Sequence, residues 1–160
     1  MGLCQPSPLP DRLSEDAFVG ANGIALLRRR PGQQPPPTTS NAHHQRAEGR
    51  IPFFLQVNFP SPHPPFLVSS CVAKTLETRQ FGAPLTIRRE QGSDPEETVG
   101  RTTARAARQW RLNYGGLIEG IDEWVGVYVN ELKRTGILDE TLICFTADHG
   151  DMLGDFARCE

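Results

Sequence analysis

Apolar positions recur at helical spacing in two stretches of the chain. Ala17, Ala21, Ile24 and Leu27 step along Leu13 to Arg30, which predicts an amphipathic helix. Ser14 stands where an N-cap belongs, and Pro31-Gly32 ends the pattern. The stronger signal spans Thr102 to Thr135. Tyr114, Leu117, Ile118, Ile121, Val125, Tyr128, Val129 and Leu132 share one face, while Glu119, Asp122, Glu123, Glu131, Lys133 and Arg134 occupy the other. Gly115-Gly116 is expected to split this stretch into two helices, since each glycine weakens a helix interior by roughly 1 kcal/mol. Lys133 and Arg134 suit the negative end of the helix dipole, and Gly136 is a natural stop.

Two short apolar runs have a different character. Pro52 to Phe59 and Thr141 to Thr146 are rich in aromatic and β-branched residues and apolar on both faces, as strands buried in a covered parallel sheet would be. Strand, helical crossover and strand make a βαβ pattern, so the fold class is α/β: a mainly parallel sheet flanked by helices. Residues 32–50 form a low-complexity insertion rich in proline and polar residues, which cannot build a core. His43 and His44 within it read as solvated loop. Residues 66–101 have weak patterning, broken by Gly82, Pro84, Gly92 and Pro95, and read as an irregular excursion.

The βαβ reading has a consequence for chemistry. Sites in parallel sheets form beyond the carboxyl ends of the strands. His63 follows the first run, in the proline-rich loop Pro60-Ser61-Pro62-His63-Pro64-Pro65, and Asp148-His149-Gly150-Asp151 follows the second. Parallel strands would bring both clusters to one edge. There, Asp148 and His149 could share a divalent cation, with Gly150 turning the backbone sharply. Oxygen donors favour a hard ion such as Ca²⁺ or Mg²⁺. A braced imidazole at His63 could protonate a leaving oxygen or hold an anionic group. On these residues alone, a blander account also fits: Asp148 caps a turn, while His63 and His149 fill surface positions.

Composition narrows the partners. The chain has 160 residues, and its formal net charge of -2 gives no reason to expect nucleic acid. No apolar run approaches the ~20 residues needed to cross a bilayer. Met1 to Pro10 has neither a basic nor an apolar segment and does not read as a signal peptide. Cys4, Cys71, Cys144 and Cys159 show no CxxC or zinc-finger spacing, and Cys144 reads as a buried free thiol inside a strand.

Longer segments are more specific. PFFLQVNFPSPHPPF, starting at Pro52, resembles a sulfatase signature in which a strand leads to a histidine in a proline-rich loop. YGGLIEGIDEWVGVYVNELKRTGILDETLICFTADHGDMLGD, starting at Tyr114, resembles a second signature in the same order. The chain thus resembles the sulfatase branch of the alkaline phosphatase superfamily, over about a third of its length directly. The resemblance implies a partial alkaline-phosphatase-like sandwich spanning 1–160. It also implies a metal-dependent hydrolase of sulfuric esters, with a small-molecule or glycan sulfate ester as substrate. Asp148 and His149 match the family's metal ligands, usually of Ca²⁺, with Mg²⁺ or Mn²⁺ as alternatives. His63 matches a histidine that contacts the sulfate or assists the leaving group. Asp122 and Gly126 match helix positions that read as structural, Gly126 permitting close packing.

The chain also departs from that pattern. It has no Asp-Asp pair, which the family uses as further metal ligands. Cys4-Gln5-Pro6-Ser7 resembles the start of the motif whose cysteine becomes the formylglycine nucleophile, but Pro8 stands where arginine is required. Cys4 is therefore read as coincidental, and the formylglycine as not present here. Phe156 replaces a family histidine, and no sulfate-binding lysine follows it. The expectation is an internal fragment, inactive alone. Two other readings stay open: a related phosphonate monoester or phosphodiester hydrolase, and a non-catalytic module that kept the fold.

Overall fold

The computed structural model describes residues 6–29, 52–82, 85 and 104–157. The elements run in the order β1 (Pro6–Ser7), α1 (Glu15–Arg29), β2 (Val68–Ser69), α2 (Ser70–Leu76) and α3 (Ala104–Arg134), with single 3₁₀ turns at Asp11–Leu13, Leu138–Glu140 and Asp155–Ala157. The insertion expected at 32–50, with His43 and His44, lies outside the described residues, as do Cys4 and Cys159.

Helix α3 is the spine, and both core clusters lie along it. Toward its C-terminal end, Leu132 packs with Leu27 of α1 and with Ile137, and Leu55, Tyr128 and Leu138 lean on the group. Toward its N-terminal end, Leu112 packs with Val68 of β2 and Leu76 of α2. The side chain of Asn113, buried beside this second cluster, donates to the carbonyl of Phe66 at 2.7 Å, so its polarity is satisfied where water cannot reach.

Local sequence sets the helix ends. Ser14 Oγ accepts from the backbone N–H of Ala17 at 3.1 Å, as the N-cap reading expects. At the other end of the long helix, Gly136 adopts φ 66°, which glycine tolerates without a Cβ clash. The N–H of Gly136 reaches Lys133 O at 3.0 Å, and that of Ile137 reaches Leu132 O at 3.1 Å. These two bonds make a Schellman cap, and its hydrophobic partners, Leu132 and Ile137, share a core cluster.

Several expectations change. Gly115-Gly116 does not split α3, which runs unbroken for 31 residues. The two glycines instead admit neighbours: a Cβ on Gly116 would lie 2.6 Å from Leu76, and one on Gly115 would lie 2.9 Å from Phe81. Gly126, expected to permit close approach, has no atom within 4 Å of a built Cβ, and Ile118, on the apolar face, is still 45% exposed.

The sheet also differs. Among the described residues it is one parallel pair, β1 with β2, in the register Pro6–Val68 and Ser7–Ser69. Neither Pro52 to Phe59 nor Thr141 to Thr146 forms a strand. A run apolar on both faces is stable as a strand only between partners that close its hydrogen bonds and cover its side chains. No described segment does so, and Phe54, Leu142 and Phe145 are exposed at 88%, 94% and 72%. Cys144 is exposed for the same reason, not buried. Within 66–101, where irregular chain was expected, β2 and the short helix α2 form, with Ser69 Oγ accepting from Val72 N at 3.2 Å as the cap.

Candidate functional site

A pocket of about 390 Å³ is lined by Phe59 to Pro64, by Tyr114 of α3 and by Asp148 to Asp151. His63, Asp148 and His149 therefore face one space, although no ladder joins the segments that carry them. The proline loop is held at both ends of its turn. The N–H of His63 donates to Pro60 O at 3.2 Å, and the N–H of Ser61 donates to the carboxylate of Asp16, in the first turn of α1, at 3.3 Å.

Both imidazoles have the same local arrangement. Nδ1 of His63 lies 2.6 Å from Pro64 O, and Nδ1 of His149 lies 3.0 Å from Gly150 O. A carbonyl oxygen only accepts, so each bond places the proton on Nδ1. In the neutral ring this leaves the Nε2 lone pair free to bind a cation, with a backbone carbonyl orienting the ring from behind. Asp148 Oδ1 accepts from the N–H of His149 at 2.9 Å, while Oδ2 stands 3.9 Å from His149 Nε2.

Charge follows from these contacts. The N–H of His149, then the charge of its ring, hold the Asp148 carboxyl below its usual range, and His63 adds a smaller pull. The Gly150 carbonyl, then Asp148, raise His149. Tyr114 is raised by burial first and by the Asp151 carboxylate second, so its phenol stays a neutral donor at ordinary pH. Its ring is set edge-on against Phe66, with centroids 5.7 Å apart.

The donor set can be tested against a metal. Asp148 and His149 present a carboxylate oxygen and an imidazole nitrogen, and their side chains are 90% and 71% exposed. Among the described residues, however, no three His, Cys, Asp or Glu side chains converge as a metal cage. The pair fits two positions of a coordination sphere and does not close one.

Sequence reasoning passed over Tyr114 as a site residue, because it falls on the apolar stripe of α3 and reads as core. It also passed over Arg111, which lies 42 residues from Leu153 in sequence and bonds to its carbonyl. No local pattern marks such a contact. Asp151 was visible in the polar cluster, and a carboxylate two residues beyond His149 was the available signal.

Comparison with known proteins gives consistent results. The family model described as Sulfatase matches residues 37–158. The chain is 30% identical to the multifunctional alkaline phosphatase superfamily protein PehA of Trinickia caryophylli, over 94% of this chain and 30% of that protein. It is 35% identical to a choline-sulfatase of Rhizobium meliloti, over 68% of this chain and 23% of that protein. The fold matches that of the phosphonate monoester hydrolase SpPMH from Silicibacter pomeroyi with a TM-score of 0.70 at 20% identity, covering 99% of this chain and 34% of that one. The chain thus spans about a third or less of each of these proteins.

Proposed function

This chain belongs to the sulfatase family, and on that premise we propose that it supplies part of the catalytic centre of a metal-dependent hydrolase of sulfuric esters. The observation that carries this reading is the shared pocket: His63 from one segment and Asp148-His149 from another, 85 residues later, line the same space. Asp148 and His149 are two ligands of a divalent cation, Ca²⁺ by preference for hard oxygen donors, with Mg²⁺ or Mn²⁺ as alternatives. When bound, such an ion offsets negative charge on the ester oxygens. His63, oriented through Nδ1, turns Nε2 toward the substrate to bind an anionic oxygen or, when protonated, to donate to the leaving group. Tyr114 offers a neutral O–H to the same anion.

The reading treats 1–160 as a partial catalytic domain with an insertion at 32–50, acting on a small-molecule or glycan sulfate ester. The sequence holds no complete formylglycine motif, so the chain alone is expected not to turn over. Calorimetric titration with Ca²⁺ tests the metal part: heat of binding is expected for the wild-type chain and none for Asp148→Ala. Identical heats for the two proteins would favour a non-catalytic module. An aryl sulfate assay tests the rest, and appreciable hydrolysis that vanishes in Cys4→Ala would overturn the reading of Cys4.

A second reading is a phosphonate monoester or phosphodiester hydrolase. The fold match to a phosphonate monoester hydrolase over almost the whole chain supports it. The pocket, with histidine and phenol donors beside the proposed cation ligands, suits either tetrahedral anion.

A further inference from the structure

The segment that carries Asp148 and His149 is exposed, from Leu142 to Gly150, and forms no strand. What fixes its far end is Arg111, whose side chain is only 15% exposed. Its guanidinium serves three acceptors at once. Nε donates to Leu153 O at 3.1 Å, one terminal nitrogen donates to Gly82 O at 2.7 Å, and the other donates to Asp155 Oδ1 at 2.5 Å. Asp155 Oδ1 also accepts from Leu85 N at 2.7 Å, and Phe156 N closes the knot on Leu85 O at 2.8 Å.

The backbone within this knot is unusual. Leu153 and Phe156 take φ 48° and 52°, a region that costs a residue with a side chain, and Gly154 takes φ 92°. Such a conformation persists where surrounding contacts over-determine it. The contacts here are the arginine fork and its carboxylate partner. Arg111 lies one helical turn before Tyr114, which lines the pocket, so the knot is referenced to the helix that forms the pocket wall.

We propose that Arg111 is a positioning residue: by clamping Leu153 and Asp155 to α3, it sets where the preceding Asp148–Asp151 segment lies against His63. Its contribution to metal binding rests on the reading of Asp148 and His149 given above. The role belongs to the planar fork and not to the charge, because a lysine ammonium presents its donors from one nitrogen, whereas the acceptors here are served by three separate nitrogens of the fork.

Two measurements on the full chain test this separately. Hydrogen exchange at the hydrogen-bonded amides of Asp155 and Phe156 reads the clamp itself. It is expected to speed up about tenfold or more in both Arg111→Lys and Asp155→Asn, while exchange in α3 over 121–132 is unchanged. Mn²⁺ titration followed by electron paramagnetic resonance reads the ligands. Affinity is expected to fall about tenfold in Arg111→Lys, the usual scale for losing support behind a metal ligand. In Arg111→Ala, added methylguanidinium should restore Mn²⁺ affinity, and methylammonium at the same concentration should not. Exchange at Asp155 and Phe156 that matches wild type in both variants overturns the clamp, as does full Mn²⁺ affinity in Arg111→Lys. A wild-type chain that binds no Mn²⁺ overturns the metal reading instead, and the exchange result then still decides the clamp.

Discussion

The indole of Trp124 lies flat across Gly20, so close that a methyl built on the glycine would fall 2.2 Å from the ring. Three residues on, Gly23 gives the same access to Tyr128, whose phenol donates to the carbonyl of Gly20 at 2.9 Å. The contact between α1 and α3 therefore depends on bare backbone meeting two large aromatic rings.

Substitution at these glycines should destabilise although alanine is the better helix former. Gly20→Ala is expected to cost about 1–3 kcal/mol by overpacking. Gly126→Ala, where a Cβ meets nothing within 4 Å, should instead stabilise by about 0.5–1 kcal/mol. Urea denaturation of both variants checks this, and the opposite signs are the informative result.

Glu131 predicts an acid-sensitive joint. It is 4% exposed and lies between Arg134, at 2.6 Å, and Arg28 of α1, at 3.2 Å. Hydrogen bonds from Arg134, then Arg28, lower its carboxyl to about 2, against the opposing effect of burial. A lowered folded-state pKa contributes stability above the unfolded value of 4.5 and loses it as pH falls toward 2. The arginines are mostly exposed, which moderates the gain. Glu131→Gln is expected to be about 2 kcal/mol less stable at neutral pH and to lose less stability between pH 4.5 and 2. Thermal melts across that range measure both.

The bond from Ser61 N to Asp16 ties the histidine loop to the start of α1. Asp16→Ala removes the acceptor, and amide exchange at Ser61 should quicken by about two- to tenfold, the scale of one hydrogen bond worth ~0.5–1.5 kcal/mol. Exchange at Leu112, in the core cluster that α1 does not join, should not change.

If Asp148 and His149 hold a cation in the folded chain, binding must raise its melting temperature. At a Ca²⁺ concentration about 100 times the dissociation constant, the gain is ~2.7 kcal/mol. Calorimetric scanning with Ca²⁺ and with chelator should show the shift in wild type and in Glu131→Gln, and no shift in Asp148→Ala.

Much of this was legible in the sequence, for identifiable reasons. Ser14 and Gly136 mark helix ends because capping is chemistry between near neighbours. His63 and the Asp148-His149 pair were singled out because each follows an apolar run; the structure brings them to one pocket without the strands on which that expectation rested. Gly20, Gly23 and Gly116 were not legible as packing sites, since a glycine that weakens a helix looks the same on paper as one that admits a ring. Arg111 was hidden because its partners are distant in sequence and two of them are carbonyls, which every residue has. The expected strands failed for another reason: a run apolar on both faces reports what a segment would bury, and pairing depends on having a neighbour.

The cap at Gly136 turns the chain back along α3, and the returning strip has length to spare. From Leu132, against which Ile137 packs, to Tyr114 the helix measures about 27 Å at ~1.5 Å per residue. From Ile137 to Asp148 the backbone can reach about 40 Å when fully drawn out. Length alone therefore does not fix where the Asp148 carboxylate stands, and the anchorage beyond it, at Leu153 and Asp155, carries that burden.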